Sequence, residues 1–144
     1  MVIDLPEISF VAIDPGETTG VVEIVEGRLH LAYSVDINQL RKEAMPCKGN
    51  FRKWCRYDLW VIEDFRVYPT LPPMDPVVTA RLIGVLEAVA LHRKIEVIFQ
   101  SASLAKQFIT DEWLEKLNWT NALKNVHQRD AARHAACYML RNRR

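Results

Sequence analysis

The hydrophobic pattern in the first third of the chain predicts three consecutive strands. Phe10–Asp14 is a short apolar run that stops at Pro15-Gly16, which is typical of a buried strand that enters a turn. A second strand, Val21–Glu26, is followed by a Gly-Arg turn, after which apolar side chains recur at every second position across residues 29–35. We therefore expect a hairpin that extends the sheet.

The rest of the chain alternates helices with strands. The pattern predicts a helix over Ile37–Ala44 capped by Asp36, a break at Pro46, Gly49 and Asn50, and a strand over Leu59–Glu63. A four-proline loop over Tyr68–Pro76 follows, and then a helix over Val77–Arg93 and a strand over Ile95–Phe99. The last part of the chain is predicted to be helical over Leu104–Ile109, over Asp111–Leu117, and through Asp130 to about Leu140. This order predicts an α/β fold with a mixed five-stranded sheet flanked by helices.

Length and composition fit one globular domain over residues 1–144. The chain is 49% hydrophobic and 26% charged. A chain of this length buries roughly two-thirds of its unfolded surface, so it needs neither disulfides nor a structural metal. The three cysteines include no CxxC pair, which favours a reducing compartment. No stretch approaches the ~18 apolar residues of a membrane span, and we expect a soluble cytoplasmic protein that does not contact membranes.

The charges are distributed unevenly along the chain. A net charge of +1 argues against binding of nucleic acid by bulk charge. Residues 1–25 hold five acids and no base, whereas residues 41–56 hold six bases and one acid, and residues 124–144 hold six bases and one acid. Both basic segments could contact phosphates. In the first, Arg52, Lys53 and Arg56 alternate with aromatic residues, which fits either a DNA-binding surface or a loop anchored to the core.

Two carboxylates stand at the ends of apolar strands. Asp14 and Glu63 both occupy a position where desolvation of an ionised carboxylate is costly. Taken alone, each acid could be a turn former or a solvated residue at a strand end as readily as a cation ligand. Together they indicate convergence on a cation.

A third group lies in the last predicted helix. His127, Asp130 and His134 are spaced i, i+3 and i+7, which places them on one helix face, and the alanines beside them allow a close approach to the sheet. Oxygen-rich ligands with at most one imidazole favour Mg²⁺ or Mn²⁺ over structural zinc. We expect His127 and Asp130 to be the ligand pair. His134 would at best support these ligands without touching the metal, and a packing role is favoured for it.

Four motifs, taken in order, resemble those of the RuvC-type Holliday-junction resolvases, crossover junction endodeoxyribonucleases of the RNase H-like superfamily. The motifs extend over about Phe10 to Leu140 and are Ile13-Asp14-Pro15-Gly16 with Thr18-Thr19-Gly20, Val61-Ile62-Glu63, Arg81-Leu-Ile-Gly84, and His127-x-x-Asp130-Ala131. Viral members of this group are closer in length and motif spacing than cellular ones. A viral member would act in the host cytoplasm.

The resemblance implies a fold and a site. Three antiparallel strands would be extended by parallel ones, with helices on both faces, and a homodimer would cut two strands of a four-way DNA junction symmetrically. Asp14, Glu63, His127 and Asp130 would hold two Mg²⁺ or Mn²⁺ ions, with His127 acting either as a ligand or as a proton shuttle. Lys106 would lie near the scissile phosphate, although a solvated helix lysine fits its position as well.

The chain departs from the family pattern in two places. The glycine-rich stretch after the lysine is replaced by Thr110–Lys116, and the position of the junction-wedging phenylalanine falls on Arg66. Phe65 or Tyr68 could stack on exposed bases instead, while Phe65 also fits a packed core position. We retain these three residues as candidates for DNA binding.

Two other functions fit parts of the pattern. A two-metal site does not distinguish DNA from RNA, so an RNase H-like RNA-processing nuclease is one alternative. Those relatives carry Arg-Ile-Gly where this chain has Thr19-Gly20-Val21, which favours the resolvase. A non-catalytic junction-binding protein is the other alternative, but all four ligand positions hold metal-competent residues.

Overall fold

A computed structural model describes residues 3–64 and 76–143 of the chain. The strands are β1 (Phe10–Asp14), β2 (Thr18–Val25), β3 (Arg28–Asp36), β4 (Leu59–Asp64) and β5 (Glu96–Ser101). They form one sheet in the order β3-β2-β1-β4-β5, in which β1 to β3 pair antiparallel and β4 pairs parallel with both β1 and β5. The predicted mixed five-stranded sheet is confirmed.

Six α-helices connect and cover these strands within the described residues. They are α1 (Ile37–Ala44), α2 (Gly49–Trp54), α3 (Pro76–His92), α4 (Ala102–Phe108), α5 (Asp111–Lys116) and α6 (Val126–Arg141), with a 3₁₀ turn at Thr120–Ala122. Of the predicted loop Tyr68–Pro76, residues 68–75 lie outside the described residues. Pro76 itself begins α3, because proline fits the first position of a helix, where no amide donor is required.

Alternation of side chains along the strands divides the core between the two faces of the sheet. Phe10 and Ala12 of β1 pack with α6, while Val11 and Ile13 pack with α1, α2 and α3. Four alanines of α6 are fully buried against the first face, and small side chains let a helix lie close to a sheet: Ala131, Ala132, Ala135 and Ala136. The predicted close approach of this helix is confirmed.

Helix α2 begins at Gly49, within the segment Pro46–Asn50 where the sequence predicted a break. Its start is stabilised by Glu43 of α1, which is buried and accepts hydrogen bonds from the backbone and side-chain amides of Asn50 at 2.7 to 3.1 Å. Gly49 has a φ of 56°, and a Cβ there would lie 2.5 Å from the Glu43 carboxyl carbon. The break predicted at Pro46 is present, whereas Gly49 and Asn50 already belong to a helix, because a side chain from another helix satisfies its first amide groups.

The first turn of α6 is held in place by β2 and β3. Asn125 caps the helix by accepting from the Gln128 amide, and the side-chain amides of both residues donate to the Ser34 hydroxyl of β3. A Cβ at Gly20 would lie only 2.0 Å from the His127 carbonyl oxygen. Since Gly20 is the ladder partner of Asp14, the helix start lies beside the end of β1.

Two further expectations from the sequence concern the cysteines and membrane-spanning helices. Cys47, Cys55 and Cys137 are free thiols. Among the described helices, none is both long and apolar enough to cross a membrane.

Candidate active site at the carboxyl ends of β1 and β4

Asp14 and Glu63 lie side by side on the face of the sheet that α6 covers. Side chains alternate along β1, so Asp14 points to the same face as Phe10 and Ala12. Ile13 and Ile62 are partners in the parallel pairing of β1 with β4, so the residues that follow them, Asp14 and Glu63, lie at the same edge of the sheet. A side-chain hydrogen bond joins the two carboxyl groups. The structure therefore brings together the first two predicted site residues.

The two carboxyl groups differ in their affinity for a proton. Burial raises the pKa of Asp14 far above its usual range, and the hydrogen bond and charge of Glu63 raise it further. Burial also acts to raise the pKa of Glu63, but hydrogen bonds from His134 and Asp14 outweigh it and lower that pKa. The opposite directions of the two shifts mean that the crowded acids favour holding one proton between them, on the side of Asp14.

Two further charged residues act on this acid pair, Asp130 of α6 and Lys106 of α4. The charge of Asp130 raises the pKa of Asp14, whereas that of Lys106 lowers the pKa of both Asp14 and Glu63. Both residues are thus within electrostatic range of the acid pair, as the sequence predicted for a common site. Asp130 is 18% exposed and half-buried beside the sheet.

Arg133 ties Asp130 to the segment that departs from the family pattern. Its Nη1 lies 3.1 Å from the Asp130 carboxylate, its Nε donates to the Ile109 carbonyl at 3.2 Å, and its Nη2 pairs with Asp111. The sequence did not single out Arg133. Its i, i+3 spacing from Asp130 was the available signal.

His127 lies in the first turn of α6, beside the end of β1, and is half-buried. Its imidazole forms no hydrogen bond or ion pair with any residue in the described ranges 3–64 and 76–143. The ring is therefore available to a ligand. The structure places His127 near the acid pair through its backbone.

His134 has a direct contact with Glu63, which corresponds to the less favoured of the two roles expected for it. It is buried, and its Nε2 lies 3.2 Å from the Glu63 carboxylate. The expectation of a packing role overlooked this contact. The spacing of one helical turn from Asp130 was a signal, but it cannot tell which strand residue the ring meets.

The carboxylate and imidazole side chains of the site suit a divalent cation, although they do not surround a common point. Within the described residues, no three His, Cys, Asp or Glu side chains are grouped closely enough to hold a metal ion. Asp14 is engaged with Glu63, and Asp130 with Arg133. A half-buried pair of hydrogen-bonded acids, with a third carboxylate nearby, is an environment that a hard cation with oxygen ligands stabilises.

The predicted DNA-binding residues fall into two groups. Phe65, Arg66 and Tyr68 lie outside the described residues. Lys53 is 2.9 Å from the buried carboxylate of Glu23 and lies over the Tyr33 ring at 4.5 Å, so it is engaged within the fold. The structure assigns Lys53 a part in anchoring α2 to the sheet.

Arg52 and Arg56 remain exposed at the opposite end of the sheet. With Arg93 and two cysteines they line a cavity of ≈ 420 Å³ near the start of β4. A strand of six residues spans about 17 Å, so these guanidinium groups lie well away from the acid pair at the end of β4. The structure does not bring Arg52 or Arg56 to the candidate site.

Comparisons with known proteins place the chain on a known fold. No protein-family model matches the sequence, and no curated protein matches it. Thermus thermophilus RuvC in complex with a Holliday junction substrate is 15% identical, with a TM-score of 0.69 over 94% of this chain and 96% of that one. A second Thermus thermophilus RuvC structure is 18% identical, with a TM-score of 0.63 over 90% and 92%. The predicted RuvC-type, RNase H-like fold is confirmed.

Proposed function

On this RuvC fold, we propose that the chain is a structure-selective endonuclease that cuts four-way or branched DNA junctions. The observation that carries the proposal is the half-buried Asp14–Glu63 pair at the carboxyl ends of two parallel strands, with Asp130 and Lys106 in range. The RuvC solved with a Holliday junction covers 94% of this chain. We further propose that residues 1–144 act as one nuclease domain, in the cytoplasm of the cell or of a viral host.

Asp14, Glu63, His127 and Asp130 would hold two Mg²⁺ or Mn²⁺ ions. Such ions supply a water activated for attack and stabilise the leaving 3′-oxygen of the phosphodiester. Lys106 faces the same acids, and its ammonium group would pair with an oxygen of the bound phosphate. Metal-bound Asp14 would no longer share a proton with Glu63, which frees both carboxylates as ligands.

The DNA surface would include residues on both sides of the site. Phe65, Arg66 and Tyr68 follow β4 directly, so they are the candidates for contact at the junction centre. Arg52 and Arg56 lie at the far end of the sheet, from where they would contact the phosphates of a junction arm rather than the scissile bond.

A substrate panel tests the proposed activity. Wild-type protein is incubated with a mobile four-way junction, a linear duplex and a structured RNA, each with Mg²⁺, Mn²⁺ or a chelator. We expect metal-dependent cleavage of the junction alone. Cleavage of RNA alone would move the assignment to an RNA-processing nuclease, and junction binding without any metal-dependent cleavage would indicate a binding protein.

The proposal includes a homodimer, because one chain holds one candidate site and resolution requires two cuts. Helix α3 presents an exposed apolar face that fits a second copy. Leu91 is 79% exposed and Val85 38% exposed, and a Cβ at Gly84 would meet nothing within 4 Å. Gly84, Ala88 and Leu91 share this face at i, i+4 and i+7.

Leu91→Glu is expected to convert the dimer to a monomer, because it places a charge in the proposed apolar contact. Sedimentation equilibrium would show the molar mass falling from twice that of the chain to that of one chain. Met45→Glu is the matched control, since Met45 is 93% exposed in the turn after α1. A Leu91→Glu variant that stays dimeric would contradict the use of this face.

A further inference from the structure

His134 is a polar side chain in the contact between α6 and the sheet, where four alanines of the helix are also buried. The residue is 1% exposed, and its Nδ1 has no hydrogen-bond partner in the described part of the chain. Burying an imidazole costs free energy unless its hydrogen bonds compensate. Within residues 3–64 and 76–143, its one polar side-chain contact, at 3.2 Å, is with the carboxylate of Glu63.

The position of His134 is fixed from the sheet side as well. Gln100 of β5 donates from its side-chain amide to the His134 carbonyl at 2.9 Å. Gln100 and Glu63 are register partners on neighbouring parallel strands, so their side chains emerge on the same face. Glu63 therefore meets the imidazole of a residue whose backbone is held by the adjacent strand.

We infer that His134 is the positioning residue for Glu63, which it orients for metal binding without touching the metal or the DNA. An ionised carboxylate can only accept, so Nε2 is the donor and one Glu63 oxygen is committed to this bond. The other oxygen is left to face the site edge that Asp14 shares. Carboxylate ligands are commonly held by such outer hydrogen bonds, which set their orientation.

This inference rests on the proposed function, in which Glu63 is a metal ligand. A packing role for His134 makes a different prediction, because an apolar side chain of similar volume would then serve equally well. A positioning role requires a donor at the place of Nε2. The side-chain amide of glutamine reaches that place, whereas the shorter asparagine does not.

Mn²⁺ binding measured by calorimetry without DNA separates the two roles. We expect His134→Leu and His134→Asn to bind Mn²⁺ about 10- to 100-fold more weakly than wild type, and His134→Gln to stay within about threefold of it. His30→Gln is the matched control, because His30 is exposed on β3 and removes only a surface imidazole. Thermal unfolding of each variant is recorded in parallel.

The outcomes separate this inference from the proposed function. Weak binding by the Leu and Asn variants with restored binding by the Gln variant supports the positioning role, whatever the melting temperatures. Wild-type affinity in the Asn variant, or equal loss in the Asn and Gln variants, overturns the positioning role and leaves the proposed function standing. Absence of Mn²⁺ binding by wild type overturns both.

Discussion

Asp14→Asn is expected to reduce junction cleavage by at least about 10³-fold, because it removes the carboxylate at the centre of the acid cluster and with it several kcal/mol of transition-state stabilisation. Asparagine keeps the size of the side chain and its ability to donate to Glu63. Single-turnover cleavage of a labelled four-way junction measures the effect. Glu63→Gln is expected to act in the same direction.

Junction binding provides the control for this variant. Because the basic residues supply most of the affinity for DNA, we expect Asp14→Asn to bind the junction within about threefold of wild type in a gel-shift titration. Cleavage close to the wild-type rate would remove Asp14 from the site. Loss of binding together with cleavage would instead indicate that the variant no longer presents its DNA surface.

The folded state of Asp14→Asn should be preserved. Burial and the neighbouring Glu63 raise the pKa of Asp14 above its unfolded value, so the free energy of unfolding falls as pH rises above that unfolded value and through the folded one. Asparagine removes this loss. Urea unfolding at pH 7 in the presence of a chelator should therefore give Asp14→Asn a free energy of unfolding no lower than that of wild type.

Gly20→Ala is expected to destabilise the protein and to disable the site at once. The added Cβ would lie 2.0 Å from the carbonyl oxygen of His127 and 2.3 Å from its carbonyl carbon, so the first turn of α6 must move away from β2. Overpacking against backbone costs about 1–3 kcal/mol or more. The same movement carries His127 and Asp130 away from Asp14, so cleavage should fall even in molecules that remain folded.

Gly84→Ala is the matched control for the added methyl group. No atom lies within 4 Å of a Cβ at this position, and alanine is the better helix former in the middle of α3. Both variants are compared in the Leu91→Glu background, so that a change at the proposed dimer face does not enter the measurement. Urea unfolding should show a lower free energy of unfolding for the variant with Gly20→Ala and no decrease for the variant with Gly84→Ala. Equal stability of the two variants would contradict the close contact between β2 and α6.

The hydrophobic pattern along the chain was sufficient to predict the strands and the acids at the ends of β1 and β4. Asp14 and Glu63 were predictable because each terminates a short apolar run, and parallel strands present their carboxyl ends at a shared edge. The i, i+3 spacing of His127 and Asp130 likewise follows from helix geometry alone. The antiparallel hairpin of β2 and β3 was predicted from the turn between them, whereas the addition of parallel strands came from the resemblance, since periodicity does not determine which strands pair.

Contacts between distant segments could not be read from the sequence. Helix α2 depends on the Glu43 carboxylate from the preceding helix, and Lys53 of that helix is engaged by Glu23 of β2. The contact between His134 and Glu63 depends on how closely α6 approaches the sheet, a distance set by alanine side chains and by Gly20. Each of these features requires a tertiary distance that no spacing along the chain supplies.

Mapping the cuts on a four-way junction tests the central claim most directly. Each strand is labelled at its 5′ end in turn, and the products formed with Mg²⁺ are sized and then treated with DNA ligase. We predict paired cuts at symmetric positions in two opposite strands, with 5′-phosphate ends that the ligase reseals, and no cuts with Asp14→Asn or with chelator. Cuts that persist in Asp14→Asn, or an intact junction in the presence of metal and wild-type protein, would contradict the proposed two-metal junction nuclease.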